Sequence, residues 1–440
     1  MARTFHGGLA IVASLLLAGF ATGDPRPSPT LALRATYDTG LGANGSEIIS
    51  IRETDGIAAL TNVAGSIDVL DLSNPLHPQR LQRIATDLSR GTPNSVAVHP
   101  HCDYLLVVLG APGSQGTVAA YRLSDGALLA SVPVGIQPDS IAISPDGRHA
   151  LVANEAEAIG LNQNGGPGSL TLIDLAGCGA RPPDLSVTTI DLPSLVGLPG
   201  FSTGRTDDIG RLAIDNTPAT IEPESVAFSH DSRFAYVTLQ ENSGVARVDV
   251  QTAELTFFGL GQTSHAADLT VDGVYAPVQG LTAFREPDGI ALDVTGRIFV
   301  TADEGDTRNA VGAAGPRGGR TVSVFDARSG AFWGDTGSQL DDAAAEAGLY
   351  PDSRSNRGGS EPEVLDVTHD RGLTLVAVGL ERANAVALVD VSEPSAPAVI
   401  SIAAAGIGPE GIKFFRAGSR LFVASANEVS GTVSIFEVVR

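Results

Sequence analysis

A short strand pattern recurs seven times along the chain, and this recurrence constrains the fold more than any other feature. Each copy alternates apolar with polar residues, which is typical of a half-buried β-strand. Seven copies of one strand predict a repeat architecture. The copies are GSIDVLDL from Gly65, GTVAAYRL from Gly116, GSLTLIDL from Gly168, GVARVDV from Gly244, RTVSVFDA from Arg320, NAVALVDV from Asn384 and GTVSIFEV from Gly431.

Two further strands joined by a short polar turn precede the repeated strand, as in DSIAISPDGRHALVANE from Asp139 and EGIKFFRAGSRLFVASANE from Glu410. Four antiparallel strands per repeat, stacked around an axis, make the blades of a β-propeller. The repeats average about 60 residues, longer than the roughly 40–45 of a bare blade, so the surplus lies in loops. The sequence therefore predicts an all-β, seven-bladed β-propeller.

The two ends of the chain predict how the ring closes. The last repeat stops after its third strand, whereas residues 31–37 (LALRATY) form a strand before the first repeat. Pairing of this N-terminal strand into the last blade would protect both sheet edges. We expect deletion of residues 24–40 to destabilise the fold.

The first 23 residues have the order of a secretory signal peptide: Arg3, an apolar run over 8–21, and small residues before Asp24. We therefore expect residues 24–440 to form one secreted propeller domain, extracellular or periplasmic. No second long apolar stretch is visible, which predicts no membrane insertion. A net charge of −22 disfavours binding to nucleic acid or to anionic membranes.

Strand direction predicts which face of the propeller is functional. If the first strand of each blade runs from a top face to a bottom face, the tight turns after it lie at the bottom. All long insertions then fall on the top face, and long ordered loops are more often functional than accidental. The insertions span 155–168, 192–221, 260–286, 303–319 and 334–361.

Two sets of acidic residues point to the same face, around the mouth of the central channel. The first set stands where the innermost strands start, and all but its first member follow a proline: Glu47, Asp139, Glu224, Asp288, Glu363 and Glu410. The second set ends the neighbouring strands: Glu155, Glu241, Asp303, Glu304, Glu381 and Glu428. Carboxylate oxygens converging on one place suit a hard cation such as Ca²⁺ and, without His or Cys, disfavour zinc. The same acids would equally serve as structural caps that accept loop N–H groups.

Three arginines also map to the top face, namely Arg285, Arg308 and Arg382. They would bind an anionic ligand, or they would pair with the acidic residues around them. Arg308 belongs to the acidic cluster DEGDTR from Asp303, for which a solvated loop is the alternative interpretation. A short helix is predicted within 339–350, over the mouth.

Five histidines and both cysteines map to the bottom turns: His99, His101, His149, His230, His369, Cys102 and Cys178. No histidine-based metal site or catalytic dyad is therefore predicted at the top, and no G-x-S-x-G or P-loop motif occurs. Cys102 and Cys178 would form a disulfide in an exported protein, unless their radial offset exceeds the roughly 7 Å limit on Cα separation.

Several stretches resemble the choice-of-anchor I family of secreted bacterial propellers, and also the related mesenchyme-specific cell-surface glycoproteins of animals. The resemblance implies an extracellular propeller, often tethered by varied C-terminal anchors, whereas no anchor is visible after the last strand here. The matching stretches are GSIDVLDLSNP from Gly65, NSVAVHP from Asn94, SPDGRHALVANEAE from Ser144, EPESVAFS from Glu222, TADEGDTRN from Thr301 and SANEVSGTVSIFEV from Ser425.

Two functional hypotheses follow. In the first, the protein is a non-catalytic binding or adhesion module whose acidic top face takes Ca²⁺ and an extracellular ligand or protein. In the second, it is a cation-dependent hydrolase, similar in outline to propeller phytases or lactonases. A metal at the top face would then activate water, with a carboxylate such as Glu224 or Asp303 as base.

Overall fold

The computed structural model describes residues 28–156, 166–175, 178, 183–206, 213–305, 308–309 and 318–440, so the predicted signal peptide lies outside the described residues. Seven four-stranded antiparallel sheets surround one central channel, to which the innermost strand of every sheet contributes. The predicted seven-bladed β-propeller is confirmed.

The chain supplies the strands of each blade in order from the channel outward, with further short elements between the blades. The elements are β1 (Thr30–Asp38); blade 1, β2 (Ile49–Arg52), β3 (Ile57–Asn62), β4 (Ser66–Asp71) and β5 (Gln79–Ala85); blade 2, β6 (Thr92–Val98), β7 (Tyr104–Gly110), β8 (Gln115–Arg122) and β9 (Leu128–Ile136); blade 3, β10 (Pro138–Ile143), β11 (His149–Asn154), β12 (Ser169–Leu175) and β13 (Leu185–Asp191); and the insertion strands β14 (Arg205–Thr206) and β15 (Ala213–Ile214).

The second half continues the same pattern. Its elements are blade 4, β16 (Pro223–Phe228), β17 (Phe234–Leu239), β18 (Gly244–Asp249) and β19 (Glu254–Gly259); the hairpin β20 (Gln262–Ala267) and β21 (Gln279–Phe284); blade 5, β22 (Ile290–Leu292), β23 (Ile298–Asp303), β25 (Thr321–Asp326) and β26 (Phe332–Asp335), with the insertion strand β24 (Arg308–Asn309) before β25; the helix α1 (Gln339–Glu346); blade 6, β27 (Pro362–Asp370), β28 (Leu373–Leu380), β29 (Ala385–Asp390) and β30 (Ala398–Ala404); and blade 7, β31 (Pro409–Ala417), β32 (Arg420–Asn427) and β33 (Thr432–Val439). Three 3₁₀ turns span Leu88–Arg90, Pro218–Thr220 and Asp352–Arg354.

The N-terminal strand β1 is the outermost strand of blade 7, where it pairs antiparallel with β33. It also contacts blade 1, because the Tyr37 hydroxyl donates to Asp68 over 3.1 Å. Arg83 binds the same carboxylate at 2.6 Å and the carbonyl of Thr39 at 2.8 Å. Strand β1 thus contacts both the last blade and the first blade of the ring. Its contribution to the stability of the ring stays a prediction.

The hydrophobic core lies between adjacent blades, as where Val300 and Val324 of blade 5 share a cluster with Val376 and Ala387 of blade 6. Each blade is covered on both faces by its neighbours. The repeated third strands are therefore buried throughout much of their length, rather than half-buried as their alternation indicates. Their polar members are small or paired residues such as Asp68, which is fully buried and pairs with the partly exposed Arg83.

The five predicted insertions all join strands at one end of the propeller, here called the top face. Strands β15, β14 and β24 make a small sheet that ties the 192–221 insertion to the 303–319 insertion. Helix α1 is confirmed, but it does not lie over the mouth. The apolar side of the helix packs between blades 5 and 6. The Gln339 side chain binds the backbone of Pro397 and Val399 at the outer edge of blade 6, which places the helix away from the channel. Within the described ranges, no helix is both long and apolar enough to cross a membrane.

A disulfide joins blades 2 and 3 at the opposite, bottom face, which resolves the alternative that the sequence leaves open. The Cα atoms of Cys102 and Cys178 are 5.2 Å apart, well within bonding range. The buried His99 supports this corner, since its Nδ1 accepts the Cys102 N–H and its Nε2 lies 3.0 Å from the Gly147 carbonyl.

Candidate functional site

A cavity of about 800 Å³ runs through the centre of the ring. At its top end it is lined by the first acidic set and by Asn94, which takes the same position in blade 2. His101 and His230 line its bottom end. The structure therefore brings all six predicted residues of the first set together around one opening, which we call the inner ring: Glu47, Asp139, Glu224, Asp288, Glu363 and Glu410.

β-bulges explain how these side chains come to face the channel. In five blades the register between the first and second strands skips the inner-ring position, as it does at Asp139 and Glu410. A bulge redirects the side chain of the extra residue. The proline before five of the six acids fits this geometry, because it donates no N–H to the ladder.

The residues directly before three of these prolines have an unusual backbone conformation, which the repeat pattern did not lead us to expect. Gln137, Glu286 and Glu361 adopt positive φ angles of 45°, 49° and 53°. Such backbone costs on the order of 1–3 kcal/mol in a residue with a side chain, and it concentrates at functional sites. The recurring x-Pro-acid order, with x as Gln or Glu, is the signal that would have located them. The carbonyls of Gln137 and Glu361 accept the N–H groups of Glu155 and Glu381, which holds the second acidic set beside the inner ring.

Five members of the second set form what we call the outer ring: Glu155, Glu241, Glu304, Glu381 and Glu428. Some of them have neutral partners, since the side-chain amide of Gln137 donates to Glu155 over 2.9 Å and that of Gln240 donates to Glu304 over 2.8 Å. Others interact with inner-ring acids instead, as Glu428 does with Glu410.

Asp303 does not belong to either ring, although the sequence predicts it at the mouth. Its side chain is fully buried inside blade 5 and accepts hydrogen bonds from Thr301 at 2.7 Å and from Thr321 and Ser323. Burial raises its pKa to about 6 against the opposing effect of Arg285, whose Nε lies 3.8 Å away. Asn154 occupies the same position in blade 3 and binds the third strand in a similar way. Asp303 is therefore a structural residue.

The three predicted anion-binding arginines differ in where their side chains lie. Arg285 is 3% exposed, and it donates to Ser323, to the carbonyls of Leu260 and Gln262, and to Asp335. A diffusible anion cannot reach it, so the predicted binding role is wrong, and the reason is its packing within blade 5. The side chain of Arg308 lies outside the described residues. Arg382 is half exposed at the top, where it pairs with Glu381 at 2.7 Å and Glu361 at 2.9 Å.

The inner ring concentrates negative charge where water is scarce. Desolvation, with Asp139 and Glu428 nearby, raises the pKa of Glu47 to about 8. Desolvation and Glu428 raise the pKa of Glu410 to about 9. Burial and surrounding carboxylates raise the pKa of Glu224 and of Glu363 well above its usual range. Arg382 is the nearby cation that the described residues show, and it does not offset these effects, so the ring does not ionise fully at neutral pH.

The donor atoms fit a hard cation. Carboxylate oxygens of Glu363, Glu381 and Glu410 lie within 4.8 Å of one another. Two oxygens bound to one Ca²⁺ at 2.3–2.6 Å can be at most about 5 Å apart, so these three suit a common ion. In addition, the Oε2 atoms of Glu47 and Glu363 are buried and accept no hydrogen bond from the residues that the structure describes. Buried polar atoms without a partner are uncommon in proteins and are expected where an ion binds.

Together the fold and this site define a seven-bladed β-propeller with an acidic channel mouth. The chain belongs to the choice-of-anchor I domain family, whose sequence model matches residues 47–316 and 309–394. No curated protein matches the chain in sequence.

Solved structures show the same fold at low sequence identity. The chain is similar to Kuenenia stuttgartiensis hydrazine synthase, with a TM-score of 0.55 and 13% identity over 96% of this chain and 99% of that one. It is also similar to the β-propeller domain of Myceliophteria thermophila Cps50 (Swd1), with a TM-score of 0.54 and 10% identity over 93% of this chain and 100% of that one. At this identity the likeness extends to the fold alone.

Proposed function

We propose that the protein is a secreted binding module whose channel mouth holds Ca²⁺ and presents it to an extracellular ligand. The observation that carries the proposal is the buried Oε2 atom of Glu363, which accepts no hydrogen bond from the described residues and lies within a ring of acidic side chains. A divalent cation would supply the missing positive charge and bind oxygens of this type.

Glu363, Glu381 and Glu410 are the residues that would hold the ion. Glu304, Glu361 and Glu381 converge within the same 4.8 Å, but Glu363 adds the buried oxygen that accepts no hydrogen bond from the described residues. Ca²⁺ takes six to eight oxygen ligands, so three carboxylates leave coordination positions for a ligand's oxygen atoms. Arg382, half exposed beside Glu381, adds a positive group at the rim of the same opening. A partner that offers carboxylate or carbonyl oxygens would match this arrangement, which is consistent with adhesion to a protein.

Secretion is part of the proposal. It is supported by the signal-peptide pattern of residues 1–23 and by membership of a family named for its anchors. The interblade disulfide agrees with an oxidising compartment.

Calorimetric titration of the purified protein with CaCl₂ tests the cation site. We expect saturable binding near one ion per chain in the wild type, and at least tenfold weaker binding in Glu363→Gln. The matched control is Glu254→Gln, which removes one exposed acid from the outer strand of blade 4 and leaves binding unchanged. An equal weakening in both variants would attribute binding to overall charge and would overturn the proposal.

A cation-dependent hydrolase is the second candidate, and one observation favours it. Burial and the neighbouring acids raise the pKa of Glu381 to about 7 despite Arg382, which suits proton transfer near neutral pH. Asp303 is excluded as the base, because it is buried within blade 5. Turnover of p-nitrophenyl phosphate or of a simple lactone that EDTA abolishes and Ca²⁺ restores would replace the binding function with this one.

A further inference from the structure

The only lysine in the sequence, Lys413, lies inside the channel below the acidic mouth. It stands three residues along β31 from Glu410, which corresponds to about 10 Å along a strand. The equivalent positions of blades 1 to 3 carry the small residues Ser50, Ala97 and Ala142, which also line the cavity. Blades 6 and 7 differ, because they place the charged pair Asp366 and Lys413 at this level.

The ammonium group of Lys413 is only loosely held by the protein. Its Nζ lies 3.5 Å from Asp366 Oδ1, at the outer limit of a hydrogen bond, and its side chain is 43% exposed. The other oxygen of Asp366 accepts the Phe414 N–H at 2.8 Å, which fixes the carboxylate against the wall. Glu53, which also lines the cavity, is near enough to interact with Lys413, and the one long hydrogen bond to Asp366 leaves donors of the ammonium for a molecule in the cavity.

The channel changes character with depth. The inner ring is acidic, the wall just beneath it includes Ile48, Val226 and Val364, and the Lys413 ammonium follows below. A simple anion entering from the top would be repelled by the mouth, and a simple cation would gain nothing from Lys413. A molecule with a positive group at one end, an alkyl middle and a carboxylate at the other end would satisfy all three levels. A cavity of about 800 Å³ is of the size that proteins use for small ligands.

We propose that the channel is a binding chamber for a small zwitterion of the ω-amino acid type, with its ammonium among the mouth carboxylates and its carboxylate at Lys413. The inference rests on the proposed function only in taking the mouth to attract positive charge. Coordination of Ca²⁺ by Glu363, Glu381 and Glu410 would use blades 6 and 7, and Glu224 of blade 4, across the channel, would receive the ammonium.

Calorimetry with three probes of equal chain length tests this chamber: 6-aminohexanoate, hexylamine with the cation alone, and hexanoate with the anion alone. We expect 6-aminohexanoate to bind the full-length protein at least tenfold more tightly than either of the others. Lys413→Met should reduce its affinity to that of hexylamine, whereas Lys413→Arg should retain most of it. The control Arg416→Gln changes a cation on the same strand outside the cavity lining and should have no effect.

A second measurement uses the single lysine directly. N-hydroxysuccinimidyl acetate can acylate only Lys413 and the N-terminal amine, so peptide mass spectrometry reports the modification rate of this one site. Both probes are primary amines and consume the reagent to the same extent at equal concentration, so protection of Lys413 by 6-aminohexanoate beyond that given by hexylamine supports the chamber. Equal affinities for hexylamine and 6-aminohexanoate, undiminished binding in a folded Lys413→Met, or no binding of any probe would overturn it. Calcium titration of Lys413→Met separates the two proposals, because Ca²⁺ binding should persist there.

Discussion

Asp303 and Glu363 are acidic residues in the upper parts of adjacent blades, yet their surroundings differ in kind. Asp303 accepts hydrogen bonds from Thr301 and Thr321 and lies beside Arg285. Glu363 has a buried oxygen without a partner and other carboxylates around it. The comparison shows that a recurring acid is a structural cap where its blade supplies donors, and a candidate cation ligand where it does not.

The largest expected effect comes from removing Arg285, the positive neighbour of Asp303. Arg285→Met leaves Asp303 buried without its positive neighbour, and such losses cost about 3–5 kcal/mol. We expect the free energy of unfolding, measured in urea, to fall by that amount. Arg233→Met is the control, because its pair with Asp249 is solvent-exposed on the Arg233 side and contributes at most about 1 kcal/mol. Similar losses in the two variants would contradict the structural role of Asp303.

Substitution of Glu363 in the inner ring should change the free energy of unfolding in the opposite direction. Glu363→Gln removes one of several crowded carboxylates, so in EDTA the free energy of unfolding should rise, on the order of 1 kcal/mol. Asp303→Asn, the matched change at the buried site, should lower it, although Asn154 shows that blade 3 accepts an amide there. Destabilisation by both substitutions would contradict the distinction between the inner ring and the buried site of Asp303.

The pH dependence of stability sharpens the same comparison. The pKa values of Glu47 and Glu410 are raised to about 8 and about 9 in the folded protein, whereas an unfolded glutamate titrates near 4.3. The folded state therefore holds more protons between these values, and stability falls as pH rises from about 5 to 9. Each proton of difference contributes a slope of about 1.4 kcal/mol per pH unit.

Urea unfolding in EDTA between pH 5 and 9 measures this slope. Saturating Ca²⁺ should flatten it, because the ion keeps the carboxylates ionised in the folded state. The double variant Glu47→Gln, Glu410→Gln should also show a shallower slope without calcium. A wild-type protein that becomes more stable over this range in EDTA would contradict the described charge state of the mouth.

The smallest expected effect concerns the rim. Arg382→Gln breaks ion pairs in which the arginine is half exposed, so it should change the free energy of unfolding by less than about 1 kcal/mol. It should also tighten Ca²⁺ binding severalfold, since it removes a positive charge beside Glu381. Weaker calcium binding in this variant would place the ion away from Glu381.

The number of blades and the face that carries the insertions were predictable, because both follow from local repetition. The strand from Gly65 to Leu72 and its six relatives define the blades, and strand direction then fixes where every insertion lies. Burial of the third strands on both faces was not predictable, since alternation along one strand carries no information about a neighbouring blade. The disulfide was undecided for the same reason, because the 5.2 Å between Cα atoms depends on how blades 2 and 3 pack.

Within the site, the positions of the acidic residues were easier to predict than their hydrogen-bond and ion-pair partners. The inner ring follows from the repeat, because Asp139 and Glu410 begin equivalent strands after a proline. The pairing of Asp303 with Arg285 depends on contacts between separate strands, and no local pattern encodes it. The channel position of Lys413 likewise emerges only from the closed ring, although its status as the only lysine is visible at once.

Elemental analysis of the purified protein, combined with melting curves in the presence and absence of EDTA, tests the central claim most directly. A cation at the acidic mouth predicts about one calcium per chain and a melting temperature that falls on chelation and recovers when Ca²⁺ is added. Protein free of bound metal whose melting temperature responds to neither EDTA nor Ca²⁺ would contradict the cation site and reduce both rings to structural caps.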